Sequence, residues 1–314
     1  MMTKVRPLFI ATPLVLGLAA GPAQALLPRT FVSANGNDAN TCGRATPCRS
    51  FQIAHDKASA GGEINVLDPA GYGALTITKS ISVVNDGVGS AGVLVPAGAT
   101  GITINAGPND AINLRGLAIE GTGVGSTGIA FSTGGFLTIE NCVVRNLTGS
   151  GIALGPSAST SMAISSTLVA DNGAHGIYVQ PSGSGAVSAV FTRVEARNNG
   201  QNGIGVYGNF STGSVKATIA DSSAVNNGDT GFLSYSVAGK AVTGVMVVRS
   251  VSDHNVTGLF ATSANAVLWV GQSSVTNNTS GWGTVGTAVL LSYGDNTIDG
   301  NLGGQAAPPL VGKK

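Results

Sequence analysis

The sequence is poor in charge, in aromatic residues and in cysteine. Charged residues make up 10% of its 314 positions and the formal net charge is +1, where ~25% charged residues is usual. Electrostatic binding to nucleic acid needs a basic surface, so this balance excludes it. Intrinsic disorder is excluded as well, because disorder combines low hydrophobicity with high net charge, whereas 43% of these residues are hydrophobic.

Long hydrophobic runs are also missing. Gly, Ser, Thr and Asn interrupt every apolar stretch before it reaches the about 18 residues of a membrane helix, which excludes a polytopic membrane protein. Glycine is abundant instead, with 47 residues, but it does not recur at every third position as collagen requires. The composition therefore indicates a secreted, repetitive protein rich in β-structure.

The first 25 residues are typical of a secretory signal peptide. Lys4 and Arg6 precede a short apolar stretch that ends at Ala20, and Ala23-Gln24-Ala25 fits a small-x-small cleavage site. A short membrane anchor is the alternative interpretation. Cleavage after Ala25 would leave a chain without a further membrane span, so we expect a secreted or periplasmic protein.

The three cysteines are consistent with export to an oxidising compartment. Cys42 and Cys48 bracket a short polar segment, and in an oxidising compartment such a pair is predicted to form a disulfide. A metal site is disfavoured, because only His55 lies close enough in sequence to extend the ligand set to the usual four. Cys142 lies in an apolar run and is predicted to be a buried core thiol.

A repeat of 23 to 28 residues organises most of the chain. Each repeat is marked by a glycine followed by an alternating apolar strand: Gly101, Gly128, Gly151, Gly176, Gly203, Gly231, Gly258 and, more weakly, Gly286. An Asn or Asp stands five residues before five of them, at Asn146, Asp171, Asn198, Asn226 and Asp253, and three of these are followed directly by Asn172, Asn199 and Asn227. Asn and Asp tolerate left-handed backbone, so these positions are predicted to be tight turns.

Short strands separated by tight turns leave no room for crossover helices. Coils of three short strands can pair in parallel and bury alternating residues inside a prism, with equivalent asparagines stacked in a ladder. Three other repeat folds are disfavoured. The sequence lacks the motifs of leucine-rich repeats, the longer blades of propellers and the strict hexapeptides of left-handed β-helices. We therefore predict an all-β chain that forms a right-handed parallel β-helix of about nine or ten coils.

The predicted organisation has four parts. Residues 1–25 are the signal peptide, residues 26–62 an N-terminal cap, residues 63–301 the coils and residues 302–314 a C-terminal tail. The cap is predicted to contain a short amphipathic helix with Ser50 as its N-cap and Gly61-Gly62 at its end. Such a helix can cover the open apolar end of a solenoid.

Several N-terminal segments also carry a resemblance to a known fold group. The segments are Phe31–Asp38, the Cys42 and Cys48 pair, Gly61–Ile64, and Tyr72-Gly73 leading into Leu75–Ile81. They resemble the cap and first coil of bacterial right-handed β-helix proteins of the pectin-lyase-like fold group. The resemblance covers about residues 30 to 300 and implies the fold. It implies no single activity, because the group contains lyases, hydrolases, isomerases and non-catalytic proteins.

The catalytic motifs of that group are missing from this sequence. Polygalacturonase-like members carry Asn-Thr-Asp, Asp-Asp, Gly-His-Gly and Arg-Ile-Lys segments. Ala174-His175-Gly176 matches the Gly-His-Gly segment only in part, and the other segments are missing. We interpret His175 as an ordinary turn residue. Pectate-lyase-like members bind Ca²⁺ with grouped aspartates, whereas the acids here are dispersed. We therefore expect no metal and no cofactor, and Ca²⁺ would enter only if the protein were a lyase.

One charged cluster stands out in a chain with so few charges. Arg193, Glu195 and Arg197 alternate and are predicted to point outward from one strand, and Asp221 takes the position of Arg193 in the next coil. Arg193, Glu195 and Asp221 are therefore the candidate catalytic residues. The simpler interpretation is a ladder of surface ion pairs, which would contribute little stability.

Aromatic residues recur at outward positions of the glycine-anchored strands. The candidate ligand-binding residues are Tyr178, Tyr207, Tyr235 and Phe260, with Leu233 between them. Exposed apolar patches often mark binding surfaces, and aromatic faces suit the C–H groups of sugar rings. The alternatives are that the C-terminal tail or a second subunit covers this face.

From these observations we expect an exported, non-catalytic protein that binds polysaccharide or a surface protein and does not bind nucleic acid. The alternative is a carbohydrate-active enzyme, a polysaccharide lyase or glycoside hydrolase with divergent catalytic residues. The missing motifs and the lack of long charged loops favour the binding protein, because active clefts on such a scaffold are built from loops.

Overall fold

A computed structural model describes residues 1–3, 26–303 and 306–312 and shows three parallel β-sheets wound into a prism. The predicted signal peptide lies almost entirely outside the described residues. Within the described ranges, no helix is long and apolar enough to cross a membrane. The predicted all-β parallel β-helix is confirmed.

Each turn of the prism contributes one strand to each sheet, and the sheets are numbered in the order in which a turn visits them. The first sheet contains Leu27–Val32, Ala58–Val66, Ile81–Val84, Ala111–Arg115, Phe136–Glu140, Thr160–Ser165, Val187–Thr192, Ser214–Ala220, Val242–Val248, Ala266–Gly271 and Val289–Ser292. The second sheet contains Ala70–Gly71, Ala91–Leu94, Leu117–Glu120, Val143–Arg145, Leu168–Ala170, Glu195–Arg197, Ser223–Val225, Val251–Asp253, Ser274–Thr276 and Thr297–Ile298. The third sheet contains Leu75–Ile77, Thr100–Asn105, Thr127–Thr133, Ile152–Leu154, Ile177–Val179, Ile204–Tyr207, Thr230–Tyr235, Thr257–Thr262 and Ser280–Val285.

Alternation along the strands determines which side chains enter the prism. In Val187–Thr192 the first, third and fifth residues are buried and the residues between them face outward. Equivalent residues stack from turn to turn: Ile177 pairs with Ile204, Ile204 with Phe232, and Phe232 with Leu259. Burying an aliphatic or aromatic side chain of this size contributes about 1.5–3 kcal/mol, so the stacked core is the main source of stability.

A ladder of buried asparagines runs along the turn from the second to the third sheet. In each rung the side-chain Nδ2 of one asparagine donates to the Oδ1 of the asparagine one turn later, at 2.9 or 3.0 Å. The asparagines of the ladder are Asn172, Asn199, Asn227, Asn255, Asn278 and Asn301. The same Oδ1 atoms accept the backbone N–H of the preceding asparagine. The predicted asparagine ladder is therefore confirmed, and its buried rungs are the asparagines that follow the turn position.

The turn position itself forms an outer column of left-handed residues. Asn146, Asp171, Asn198 and Asn226 have φ between 53° and 58°. The prediction that Asp253 continues this column is wrong. Asp253 lies in a strand and pairs with Val225, so that the left-handed residue of this turn is His254, with φ 53°.

The repeated glycine is required by the ladder. A Cβ atom on Gly203 would lie 2.9 Å from the Nδ2 of Asn227 and 2.8 Å from a backbone oxygen, so a side chain would displace the rung. The prediction for the last repeat is wrong. Leu259 pairs with Trp282, which makes Gly281 the equivalent of Gly258. Gly286 lies instead in the turn before Val289–Ser292 and has φ 73°.

The N-terminal cap contains the predicted helix, which spans Phe51–Lys57. The Ser50 side chain accepts the backbone N–H of Ile53, as predicted for the N-cap. The predicted helix end at Gly61-Gly62 is wrong, because the strand Ala58–Val66 begins directly after Lys57. This strand has a partner on each side, and the paired backbone groups outweigh the local preference of the two glycines. The predicted boundary between residues 62 and 63 thus falls inside a strand.

The cysteines are arranged as predicted. Cys42 and Cys48 form a disulfide across a Cα–Cα distance of 4.7 Å. Cys142 is a buried free thiol in the turn after the first sheet. Burial raises the pKa of the Cys142 thiol to about 11, which leaves almost no reactive thiolate at neutral pH.

This arrangement predicts the alkylation behaviour of the protein. Without reductant, iodoacetamide should add nothing to the native protein and one group per chain after unfolding, because only Cys142 is free. Reduction of the unfolded chain should raise the number of groups to three, as read by mass spectrometry. Rapid labelling of the native protein would contradict the buried position of Cys142.

The ladder predicts unequal effects for two neighbouring asparagines. Asn227→Ala leaves buried donors and acceptors of two adjacent rungs without a partner and should lower the free energy of unfolding by about 1–3 kcal/mol. Asn226→Gly is the matched control, because it removes only a solvent-exposed hydrogen bond to Asn198 Oδ1 and places a residue that tolerates the left-handed turn. Urea denaturation should therefore show a large loss only for Asn227→Ala, and equal losses would argue against the ladder.

Candidate functional site

Three tyrosines and one histidine are in contact on the outer side of the third sheet. The ring centroids of His175 and Tyr178 lie 5.4 Å apart, those of His175 and Tyr207 5.8 Å, and those of Tyr207 and Tyr235 5.9 Å. The last two pairs are edge-to-face, an arrangement that aromatic rings favour. These four residues are called the aromatic face from here on.

The strand register explains why these rings meet. Tyr207 and Tyr235 are directly paired on adjacent strands, and Tyr178 pairs with Gly205. Gly205 matters because a Cβ atom there would lie 2.7 Å from the Tyr207 ring. The missing side chain thus lets the Tyr207 ring lie back toward His175 and Tyr178.

The predicted ligand-binding residues all lie on this outer side, but in two columns. Tyr207 and Tyr235 form one column, whereas Leu233 and Phe260 continue the column of Tyr178. The Phe260 ring packs over Gly283, where a Cβ atom would lie 3.1 Å away. All four aromatic side chains are half-buried, so the surface is flatter than the fully outward platform predicted from the alternation.

His175 is the member of the aromatic face that the sequence interpretation assigned to an ordinary turn. It lies half-buried between the rings of Tyr178 and Tyr207. Its Nδ1 lies 3.4 Å from the backbone and side-chain nitrogens of Asn202. Both nitrogens are donors, which places the proton of the neutral ring on Nε2. The segment Ala174-His175-Gly176 is the signal that could have identified this residue.

Burial keeps the aromatic face uncharged at neutral pH. Desolvation lowers the pKa of His175, partly opposed by the Asp229 carboxylate. Desolvation also raises the pKa of Tyr207 to about 12, although Asn202 donates a hydrogen bond of 2.7 Å to its hydroxyl oxygen. The face therefore offers neutral rings with a few hydrogen-bonding groups at their edges.

The charged candidates Arg193, Glu195 and Asp221 line one groove of about 420 Å³ together with Arg249. The prediction that Arg193 shares a strand with Glu195 is wrong. Arg193 occupies the left-handed turn before the strand, with φ 53°, because the chain must bend there between the first and second sheets. Asp221 takes the equivalent position one turn later, as the adjacent pairing of Thr192 with Ala220 shows.

The charges of this groove are mostly paired with one another. Arg249 binds Asp221 through two hydrogen bonds of 2.7 and 2.9 Å, and Glu195 lies 3.3 Å from Arg197. Arg193 donates from Nε to the Ser166 hydroxyl. The Arg249 hydrogen bonds lower the pKa of Asp221. A carboxyl with a lowered pKa is ionised at neutral pH and is a poor general acid.

Possible metal ligands are scattered over the described part of the chain. Within residues 26–303 and 306–312, no group of three or more His, Cys, Asp or Glu residues is placed to hold a metal ion.

The C-terminal tail contacts the last turn of the prism. The backbone N–H of Ser292 donates to the backbone oxygen of Pro309. The indole N–H of Trp282 donates to the backbone oxygen of Ala306 at 2.9 Å. These contacts lie beyond the turns that carry the aromatic face.

The buried histidine predicts a pH dependence of stability. Because folding lowers the pKa of His175, the stabilisation is complete above the pKa of the unfolded chain, near 6.5, and is lost as the pH falls below it. His175→Gln should therefore be less sensitive to pH in this range than the natural protein. Thermal unfolding at neutral and mildly acidic pH measures the difference between the two proteins. Parallel pH profiles would contradict the prediction.

Comparisons with known structures identify the fold independently. The structure of pectate lyase Pel9A superposes with a TM-score of 0.56 at 16% identity, covering 89% of this chain and 81% of that one. A rhamnogalacturonan lyase gives a TM-score of 0.42 at 12% identity, with 79% and 76% covered. The A-module of a mannuronan C-5 epimerase of Azotobacter vinelandii gives 0.39 at 15% identity, with 81% and 89% covered. The likeness to the pectate lyase supports the fold, and at 16% identity it concerns the fold alone.

Comparison of the sequence with family models identifies the family. No curated protein matches the chain significantly. The family described as "Right handed beta helix region" matches residues 77–217 and 128–302, which together span most of the coils. The matched region contains the asparagine ladder and the aromatic face. The chain therefore belongs to the right-handed β-helix family.

Proposed function

We propose that this protein is an exported, non-catalytic β-helix that binds polysaccharide through its aromatic face. The observation that carries the proposal is the contact of His175, Tyr178, Tyr207 and Tyr235 across three consecutive turns. Contiguous apolar surface on the outside of a protein is a common mark of a binding site. In a chain with 5% aromatic residues, such a concentration on one face supports a binding role.

The chemistry of the aromatic face suits sugars. The flat rings can pack against the C–H faces of sugar rings, while the Tyr hydroxyls can exchange hydrogen bonds with sugar hydroxyls. Phe260 extends the surface, three strand spacings from Tyr178. At about 4.8 Å per strand this distance is about 14 Å, which suits a chain of several sugars better than a single one.

The charged groove supports a non-catalytic role. Glycoside hydrolysis needs one carboxyl group that can donate a proton and a second group across the bond. Asp221 has a lowered pKa and is paired with Arg249, and Glu195 is exposed beside Arg197. Each ion pair is satisfied within the protein, as expected for surface pairs of small energetic effect. A surface protein is the alternative ligand of the aromatic face.

Export is supported by the disulfide and by the N-terminal sequence. The Cys42–Cys48 bond closes a short loop in the cap, and disulfides persist mainly in oxidising compartments. The basic and apolar residues before Ala25 have the order of a signal peptide. We therefore propose that the protein acts in the periplasm or outside the cell.

Removal of single rings should weaken polysaccharide binding without unfolding the protein. Tyr178→Ala and Tyr235→Ala should each reduce retention in affinity electrophoresis by about five-fold, because stacking contacts contribute about 1 kcal/mol each. Tyr293→Ala is the matched control, since Tyr293 lies at the C-terminal end of the prism. Thermal unfolding should be nearly unchanged in all three variants.

Several results would contradict this proposal. Unchanged retention in both tyrosine variants would exclude the aromatic face. A lower oligomer mass in the variants would identify the face as a subunit interface. Cleavage of pectate or of neutral polysaccharides, with or without Ca²⁺, would establish the enzyme alternative.

A further inference from the structure

We infer that three rungs of the asparagine ladder are deamidation sites, which the folded prism shields and which react once the chain unfolds. These rungs are Asn172, Asn199 and Asn227, and each is followed directly by a glycine. Deamidation converts the side-chain amide into a carboxylate, and the ladder cannot form again around the product. Prolonged unfolding of this protein is therefore irreversible, whatever ligand the protein binds.

Deamidation is least hindered where glycine follows asparagine, because glycine has no side chain and a freely rotating backbone. The glycine nitrogen loses its proton and attacks the asparagine Cγ, which forms a C–N bond and releases the side-chain nitrogen as ammonia. The cyclic imide that results takes up one water molecule. Opening of either imide C–N bond leaves aspartate or isoaspartate. No electrons are transferred, and water is the only co-reactant.

The fold itself requires these glycines. A Cβ atom on Gly173, Gly200 or Gly228 would lie 2.3 Å from a backbone oxygen of the preceding turn. No side chain fits at that distance, so the turn has no room for a larger residue that would slow the reaction. The close stacking that builds the ladder thus also fixes its reactive dipeptides.

Folding engages both reacting groups in other bonds. The backbone N–H groups of Gly173, Gly200 and Gly228 donate to carbonyl oxygens of the preceding turn at 2.7 or 2.8 Å. The side-chain amides of the three rungs are at most 3% exposed and bond to the next rung. The reaction would have to break both sets of bonds and admit water. It therefore needs the opening of several turns at once.

The same dipeptide occurs once on the surface, at Asn35-Gly36. Asn35 is exposed, and its side chain makes no hydrogen bond within the described residues. The Gly36 N–H donates to the Ser33 oxygen in a surface turn, which can open while the prism stays folded. Asn35 should therefore deamidate in the native protein. Asn202-Gly203 is buried like the rungs and should be shielded with them.

A carboxylate cannot replace the amide in a rung. The Nδ2 of Asn227 donates to the Oδ1 of Asn255 at 2.9 Å and to the backbone oxygen of Ala196 at 3.1 Å. An oxygen atom in its place would face two acceptors and would carry a buried charge. Isoaspartate also adds an atom to the backbone, which shifts the following strand out of register. Either product should prevent refolding.

The first experiment compares native and urea-unfolded protein after incubation at mildly alkaline pH, by peptide mapping with tandem mass spectrometry. The three rungs should deamidate at least about a hundred-fold more slowly in the native protein, because only its small unfolded fraction reacts. Asn35 should deamidate in both samples. Asn255 and Asn278 should react slowly in both, because branched Val and Thr side chains follow them. Equal rates for the three rungs in the two samples would overturn the inference.

The second experiment refolds the urea-incubated sample and maps its folded and unfolded fractions separately. Chains deamidated at Asn199 or Asn227 should be depleted from the folded fraction by at least about ten-fold, because the product buries an unpaired charge. Chains deamidated at Asn35 should divide between the fractions like unmodified chains. All these chains come from one sample, so disulfide exchange affects them equally. An even distribution of chains deamidated at the rungs would contradict the inference.

Substitutions place the reaction product in the chain directly. Asn227→Asp should lower the folding equilibrium constant by at least about a hundred-fold, as urea titration followed by circular dichroism measures it. Asn226→Asp is the matched control, because Asn226 is exposed and Asp171 already occupies an equivalent left-handed position. Its stability should stay close to that of the natural protein. Normal stability of Asn227→Asp would show that the ladder tolerates the product and would make the inference wrong.

Discussion

The buried asparagine ladder is the interaction on which the rest of the structure depends. Amide groups removed from water are costly unless each donor and acceptor is bonded, and here every rung bonds to the next at 2.9 or 3.0 Å. A slip of one residue would leave Asn199 or Asn227 unpaired among apolar side chains. The ladder therefore keeps the turns from Asn172 to Asn301 in register, and the glycine beside each rung provides the space that it needs.

This register makes straight columns on the outside of the prism. Each outward side chain lies about 4.8 Å from its equivalent in the next turn, so residues far apart in sequence become neighbours. Tyr207 and Tyr235 meet in this way, and so do Asp221 and Arg249. The aromatic face is a product of such stacking, and it needs no long loop.

The two ends of the prism are closed by different means. At the N-terminus the strand Leu27–Val32 pairs with Ala58–Val66, and Phe51 of the short helix is buried beside it. At the C-terminus the tail bonds to Ser292, and Trp282 packs against the last core residues. A parallel sheet with free edges invites pairing with other chains, and these caps protect the ends of the three sheets.

Much of this structure was determined by the sequence itself. The repeated glycine and the alternating apolar residues specify a parallel β-helix, because strands this short can be buried only by stacking. The asparagine positions specify the ladder, since a buried amide must be bonded and an equivalent asparagine recurs in each turn from Asn172 to Asn301. The spacing of Cys42 and Cys48 and the N-cap Ser50 were likewise sufficient for their local structures.

Other features were decided by the tertiary structure. Equal spacing along the chain placed Asp253 in the turn column, whereas strand pairing placed His254 there. Arg193 lies in a turn rather than a strand, and the partner of Asp221 is Arg249, one turn further than the candidate cluster. His175 joins the tyrosines only because Gly205 leaves room for the ring of Tyr207. Period and alternation determine which residues point inward, but contacts between outward side chains depend on the register of whole turns, which only the folded prism establishes.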